Sequence, residues 1–318
     1  IKMDLRGFPQ VSVNNNLKFV LNDMYSSEML SRNYVVKSKT QQLYSMDPII
    51  DKFIENIKNY NNAGLEQLLI NHGNVSDEEG LYPLKIAILC NNIEALRIVL
   101  EKQKYMIDNI DILAIACEFC HTDVACSIVN ELLNCHNIDV NKKGGTLSEI
   151  PLYYVVNRNL IEVVKLLINH NKINLNLSLT NGKTIFQHSI LNRQYFVASL
   201  LLSHKNIKLD NSDVELIFTE GTIEIVNTLL NTINLKDFST HLNDYFIKLI
   251  KRVDIPVEIL SPLMPCININ YCDTFGKRAL MYTAESGNIK KLNYIVDNFK
   301  SDLTITDNYG MNALMYAV

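Results

Sequence analysis

The sequence lacks any uninterrupted apolar run close to the roughly 18 residues that a membrane-spanning helix needs. It also lacks an excess of charge of one sign, because the formal net charge is -4 over 318 residues. Proteins that bind nucleic acid through their charge carry a clear surplus of lysine and arginine. These absences predict a protein that has no membrane-inserted helix and no nucleic acid partner.

The sequence also lacks a cysteine pattern that would suit a disulfide framework. Its seven cysteines are odd in number and irregular in spacing, and reduced thiols are typical of intracellular proteins. The first ten residues, IKMDLRGFPQ, have no basic flank followed by an apolar stretch, as a signal peptide would. We therefore expect a cytoplasmic protein, and cytoskeletal association is one arrangement that this location allows.

Motifs of common reaction centres are missing as well. The sequence has no phosphate-binding loop of the form G-x-x-x-x-G-K-S/T, no G-x-S-x-G elbow and no H-E-x-x-H helix. Gly144 and Gly145 follow two lysines, but no strand-loop-helix context supports a phosphate site, so we interpret them as a flexible insertion. The sequence thus predicts no enzyme and no cofactor.

What the sequence does contain is a repeat at its end. The segment DNYGMNALMYAV, which begins at Asp307, nearly repeats DTFGKRALMYTA, which begins at Asp273, and Gly310 follows Gly276 by 34 residues. A fixed period near 33 or 34 residues indicates stacked supersecondary units built from short helix pairs. The chain is therefore expected to be an array of such pairs.

The same pattern extends upstream. In the unit that begins at Asp273, Gly287 interrupts two apolar segments of helical spacing. The residues in the Gly287 position of the earlier units are Asn91, Cys120, Asn159, Arg193 and Gly221. An insertion around 142–145 lengthens one interval, a divergent unit at 246–260 fills a double interval, and residues 47–73 add a pair with its turn at Gly64.

These units resemble the ankyrin repeat, with its Asp- and Gly-containing turn, paired small residues, Gly-His-like turn and aliphatic second helix. The resemblance covers residues 47–318, in about eight units and the start of a ninth, and implies an all-α, ankyrin-type helix-turn-helix repeat solenoid. Residues 1–46 are predicted to be a separate N-terminal segment of unknown fold; it is a candidate cap, and the remnant of a separate domain is the alternative. Because the last unit stops at Val318 within its first helix, we expect the natural protein to continue, or this end to pack on another molecule.

The cluster Cys117-Glu118-Phe119-Cys120-His121 matches the haem-attachment pattern C-x-x-C-H. Together with Cys126, and with Cys135 and His136, its spacing also suits zinc. In the repeat frame, Cys117 takes a small-residue position, Cys120 the turn glycine and His121 the turn histidine. We interpret the cluster as structural, with no bound metal, and keep haem and zinc as the alternatives.

The charged residues also fit the repeat. One carboxylate recurs near the start of the second helices, where negative charge interacts well with the helix dipole; the residues are Glu66, Glu94, Asp123, Glu162 and Glu224. The basic pairs Lys251-Arg252 and Lys290-Lys291 are isolated and are typical of solvated surfaces.

The resemblance implies that turn tips and the exposed sides of first helices form a concave groove for a protein partner. Carried over by position, the partner-binding residues are Glu78, Glu79, Leu81, Glu118, Phe119, Asn157, Arg158, Thr180, Asn181, Lys183, Thr274, Phe275, Lys277, Asn308, Tyr309 and Met311. We expect Phe119, Phe275 and Tyr309 to be the anchors, because aromatic residues dominate many interfaces; the alternative is that they pack on neighbouring turns.

The function implied is a protein-protein interaction scaffold or adaptor, as part of a larger polypeptide or of a stable cytoskeletal-type assembly. The alternative is a non-catalytic targeting arm of an enzyme whose catalytic domain lies outside these residues.

Overall fold

The computed structural model describes residues 48–72, 82–102, 111–135, 137–299 and 302–318. The predicted N-terminal segment, 1–46, lies outside these residues. The chain divides into two compact units, the first running to Asn174 and including Leu179–Gly182, the second made of Leu175–Ser178 and Lys183–Val318. None of the helices in the described residues is long and apolar enough to cross a membrane.

The first unit contains four helix pairs in its described residues. The helices are α1 (Pro48–Lys58), α2 (Asn62–His72), α3 (Tyr82–Leu89), α4 (Ile93–Lys102), α5 (Ile112–Phe119), α6 (Thr122–Leu133), α7 (Pro151–Asn157) and α8 (Ile161–Ile168). The two helices of each pair contact each other. The first helix of a pair also contacts the first helix of the next pair, and the second helix contacts the second helix of the next pair. Pro83, at the second position of α3, loses no helical hydrogen bond there.

The second unit continues the same arrangement. Its helices are α9 (Ile185–Leu191), α10 (Tyr195–Leu202), α11 (Asn211–Glu220), α12 (Ile223–Thr232), α13 (Leu242–Lys251), α14 (Ala279–Glu285), α15 (Ile289–Asn298) and α16 (Ala313–Tyr316), with short 3-10 helices at Leu235–Phe238, Val257–Leu260 and Met264–Cys266. The 3-10 helix Val257–Leu260 contacts α12 and α15, so it replaces the second helix of the divergent seventh pair. The predicted divergent unit is therefore confirmed.

Stacking explains why such short helices are stable. All residues from Ile112 to Cys117 in α5 are buried, because α5 contacts α3, α6 and α7. An isolated helix of this length is marginal in water, so the helix depends on burial against its neighbours. Outside the helices, the described residues form only isolated β-bridges and no strand.

The turns within the pairs come in two forms. Where three residues join the helices, the middle one is left-handed, with φ between 54° and 62°; these residues are Tyr60, Asn91, Asn159, Arg193 and Gly287. Where two residues join them, at Cys120 and Gly221, φ is -53° and -68°. The prediction located each turn from Asn91 to Gly287 correctly, although the conformation differs at these two.

The turn of the first pair was predicted at Gly64, and this is wrong. The turn is at Tyr60, and Gly64 lies inside α2. A Cβ at Gly64 would lie 2.1 Å from Asn56 Oδ1, so the glycine lets the Asn56 side chain approach the α2 backbone closely and does not break the helix. Glu66 consequently lies beyond the first turn of α2, whereas the other four carboxylates lie in first turns as expected.

Basic side chains close the ends of first helices in neighbouring repeats. In the second unit the Arg252 guanidinium donates to Phe218 O at 3.2 Å, and the Lys291 ammonium donates to Leu249 O at 3.4 Å, to Ile250 O at 3.2 Å and to Arg252 O. Carbonyls in the last turn of a helix lack an intrahelical donor and favour positive charge. The prediction of solvated basic pairs is therefore wrong for Lys291, which is buried, and for the Arg252 guanidinium.

The insertion in the first unit is held in place by hydrogen bonds. Gly144 and Glu149 exchange backbone hydrogen bonds of 2.9 and 3.0 Å, and the Tyr154 hydroxyl donates to Gly144 O at 2.7 Å. The Gly145 N–H donates to Asp111 Oδ2 at 3.1 Å. This loop is therefore well bonded and differs from the flexible insertion that the glycine pair predicted.

Candidate functional site

The two copies of the 34-residue repeat fold into the same turn. Asp273 Oδ1 accepts hydrogen bonds from the backbone N–H groups of Phe275 at 2.9 Å and Lys277 at 3.0 Å, and the Tyr282 hydroxyl donates to Asp273 Oδ2. Gly276 is left-handed with φ of 76°. One carboxylate therefore fixes the turn and ties it to α14.

The next repeat uses the equivalent residues. Asp307 Oδ1 accepts from the N–H groups of Tyr309 and Met311, both at 2.9 Å, and Asp307 Oδ2 accepts from the Tyr316 hydroxyl at 2.5 Å. The hydrogen bond from Tyr316 is the largest cause of a lowered pKa at Asp307, and the two backbone hydrogen bonds add to it. The Tyr316–Asp307 bond also raises the pKa of Tyr316. Gly310 has φ of 77°. The buried carboxylate of Asp307 holds the turn rigid while its tip faces solvent.

These two turns lie side by side. Asn308 donates from its backbone N–H to Phe275 O at 3.1 Å and from Nδ2 to Thr274 O at 3.2 Å. Phe275 is 54% exposed and Tyr309 is 73% exposed. We call the exposed surface of Thr274, Phe275, Asn308 and Tyr309 the tip surface; it carries two aromatic side chains on a backbone that hydrogen bonds hold in one arrangement.

Lys277 and Met311 face the body of the repeats more than solvent. The Lys277 ammonium is 3.8 Å from the ring centroid of Tyr316, 4.9 Å from that of Tyr282 and 2.9 Å from Glu285 Oε2. Met311 is half-buried. The cation-π contact with Tyr316 therefore links Lys277 to the next repeat, whereas Tyr282 and Glu285 hold it within its own repeat.

In the first unit, Glu118 and Arg158 make bonds within the protein. Glu118 Oε2 accepts from the Thr146 N–H at 2.8 Å, and the Arg158 guanidinium donates to Cys117 O at 2.9 Å and to Cys120 O. Burial lowers the pKa of Arg158. Both residues thus join neighbouring segments of the unit.

The remaining predicted residues differ in exposure. Phe119 is half-buried, and the exposed residues are Asn157, Thr180, Asn181 and Lys183. The Thr180 N–H donates to the buried Glu149 carboxylate at 2.6 Å. Glu78, Glu79 and Leu81 lie outside the described residues.

The two cysteines of the cluster, Cys117 and Cys120, are buried. Burial raises the pKa of the Cys117 thiol and raises the pKa of the Cys120 thiol to about 12. Metal ligation and haem attachment, in contrast, use reactive thiols. His121 begins α6 as its N-cap, accepting from the Asp123 N–H at 3.4 Å. Among the residues that the structure describes, no group of three or more His, Cys, Asp or Glu side chains is placed to bind a metal ion.

The 34-residue repeat contained a signal that the sequence interpretation did not use. Asp273, Tyr282, Asp307 and Tyr316 occur at equivalent positions in its two copies, and they are the residues that fix the turns. Their recurrence in both copies could have identified them as the support of the exposed aromatic pair.

The comparison with protein families agrees with this architecture. Residues 113–213 match a family model described as ankyrin repeats, in three copies. The comparison with curated proteins finds no match.

Among solved structures, the ankyrin repeat domain of Bcl-3, described as a unique member of the IkappaB family, has 14% identity and a TM-score of 0.41, over 84% of this chain and 93% of that one. The ankyrin repeat protein EF0377 has 20% identity and a TM-score of 0.31, over 60% and 84%. Because both TM-scores are below 0.5, the assignment of this chain to the ankyrin repeats depends on the family-model match over 113–213.

Proposed function

The chain is an ankyrin-repeat protein, and on that basis we propose that it binds a protein partner, as an interaction scaffold or adaptor, through the tip surface. The observation that carries this proposal is the exposure of Phe275 and Tyr309 on neighbouring turns. Repeat arrays generally bind partners through extended surfaces to which several repeats contribute.

The physical support for the proposal is preorganisation. A side chain that is already presented by a rigid backbone loses little conformational freedom on binding, so more of its contact energy appears as affinity. Asp273 and Asp307 each fix their own turn, and Asn308 ties the two turns together. Aromatic residues are enriched among the interface residues whose truncation costs more than about 1 kcal/mol.

Other exposed residues were also predicted to bind a partner, and they belong to each unit separately. They are Asn157, Thr180 and Asn181 in the first unit and Lys183 in the second. The place of such a scaffold in a cytoskeletal-type assembly, or beside a catalytic domain, stays a prediction from the sequence.

The test compares partner capture by the wild-type chain and by the Phe275→Ala/Tyr309→Ala double variant. A partner recovered with the wild-type protein is identified by mass spectrometry and then titrated against each variant. We expect the double variant to bind more than about tenfold more weakly, because each anchor contributes about 1 kcal/mol or more. Its unfolding midpoint should be unchanged, because truncating exposed side chains usually changes stability by less than about 0.5 kcal/mol.

Phe196→Ala is the matched control. Phe196 is 59% exposed in α10 and lies outside the tip surface, so its loss removes a similar apolar area elsewhere. Equal affinity of the wild-type and double-variant proteins, or equal weakening by Phe196→Ala, would contradict binding through the tip surface.

A further inference from the structure

The sequence contains one asparagine-glycine pair, Asn181-Gly182, and it lies in the turn before α9. The Gly182 N–H donates to Leu179 O at 3.0 Å and Gly182 has φ of 78°. The tip-surface turn has the same form, with Gly276 N–H donating to Asp273 O at 2.9 Å and φ of 76°. Asn181 therefore takes the exposed position before the left-handed glycine that an aromatic residue takes in the other turns.

We propose that Asn181 is a site of spontaneous deamidation that converts this turn from a neutral to an anionic one. The Gly182 backbone nitrogen attacks Asn181 Cγ, so that an N–Cγ bond forms and the Cγ–Nδ2 bond breaks. Ammonia leaves and takes up the amide proton of Gly182. Water then opens the five-membered imide at either carbonyl carbon, which gives aspartate or isoaspartate without any change of oxidation state.

The local structure favours this reaction at Gly182. Glycine has no Cβ, so nothing on the attacking residue obstructs the approach of its nitrogen to the side-chain carbon. A Cβ built on Gly182 would meet no atom within 4 Å beyond its chain neighbours, so no other segment covers the attacking residue on that side. The exposed position of Asn181 supplies the water that opens the imide.

The hydrogen bond from Gly182 to Leu179 slows the reaction. Ring closure consumes the Gly182 N–H, so this bond has to open before the nitrogen can attack. Exposed loop hydrogen bonds open at low free-energy cost without global unfolding. We therefore expect the reaction to occur in the folded protein, more slowly than in the unfolded chain.

Asn308 provides an internal comparison. It is also exposed in a turn that contains a left-handed glycine, but the residue after it is Tyr309, and its Nδ2 donates to Thr274 O. The side chain of a tyrosine crowds the attacking nitrogen, as a glycine does not. Modification should therefore favour Asn181 over Asn308, although both turns have the same form.

The test incubates the full chain at mildly alkaline pH and follows the peptides by mass spectrometry. We expect the peptide that contains Asn181 to gain the mass difference between an amide and an acid and to separate into two isomers. One of these isomers should accept a methyl group from isoaspartyl methyltransferase. The native protein should also acquire a more acidic form on ion exchange, with its circular dichroism unchanged.

The control variant is Asn181→Gln, which keeps an amide but disfavours the five-membered ring, and it should not form the acidic species. Modification of Asn181 only after denaturation would overturn the proposal, because the native turn would then prevent the reaction. Equal modification at Asn181 and Asn308 would also overturn it. The result is independent of partner binding, since no partner is present.

Discussion

Replacing Lys291 with methionine tests what holds neighbouring repeats of the second unit together. The Lys291 side chain is 1% exposed, and its ammonium donates to carbonyls of Leu249, Ile250 and Arg252 at the end of α13. Burial lowers the pKa of Lys291, and the charge of Asp254 opposes that shift. The helix end and the nearby carboxylate therefore stabilise the charge that burial disfavours.

The magnitude follows from the groups involved. Methionine keeps an unbranched side chain of similar length but donates no hydrogen bond. Leu249 O keeps the Arg252 N–H as a donor at 3.3 Å, so the loss falls on the carbonyls of Ile250 and Arg252. Together these two lose about 6 kcal/mol, at about 3 kcal/mol for each acceptor that loses a charged donor. Removing the ammonium returns about 4 kcal/mol of desolvation cost. We expect the Lys291→Met chain to be less stable by about 2 kcal/mol.

The assay is urea unfolding followed by circular dichroism, with hydrogen exchange of α13 as a local readout. Lys290→Met is the matched control, because Lys290 is the exposed neighbour and its replacement should change stability by less than about 0.5 kcal/mol. The α13 amides should exchange faster in Lys291→Met alone. Equal unfolding midpoints and equal exchange in the two variants would refute the role of Lys291 at this helix end.

Two further predictions concern the turns of the second unit. Gly276→Ala and Gly287→Ala both place alanine at positive φ, but an added Cβ at Gly276 would lie 2.5 Å from Asn308 Oδ1, whereas one at Gly287 meets nothing within 4 Å. Gly276→Ala should therefore cost about 2 kcal/mol more in thermal unfolding, and equal losses would contradict the close approach of the two turns. The hydrogen bond from Tyr316 lowers the pKa of Asp307 in the folded protein. The Asp307 carboxylate therefore stabilises the fold at a pH above its unfolded pKa of about 4, and this stabilisation is lost as the pH falls through the lower folded pKa. Hydrogen-exchange protection of 307–316 should weaken on acidification in the wild type and not in Asp307→Asn; the same acid response in both would exclude this carboxylate as its source.

The repeat period was enough to predict the architecture. The turn positions from Asn91 to Gly287 follow from where apolar segments are interrupted, since only such interruptions let two short helices fold back on each other. The buried thiols of Cys117 and Cys120 follow from the same frame, because it assigns them to small-residue and turn positions.

Contacts between repeats could not be predicted in this way. Lys290 and Lys291 look alike in sequence, and only the position of α13 decides that one is buried and the other exposed. Tyr60 adopts a conformation that its own side chain disfavours, so no local preference indicated it. Glu118 appeared available to a partner until the folded insertion placed the Thr146 N–H on its carboxylate.

Hydrogen exchange with the captured partner bound tests binding through the tip surface most directly. Amides of 273–277 and 307–311 should gain protection when the partner is added, whereas 193–202 around Phe196 should not change. Protection confined to 193–202, or to any segment other than these two turns, would contradict the proposed role of Phe275 and Tyr309.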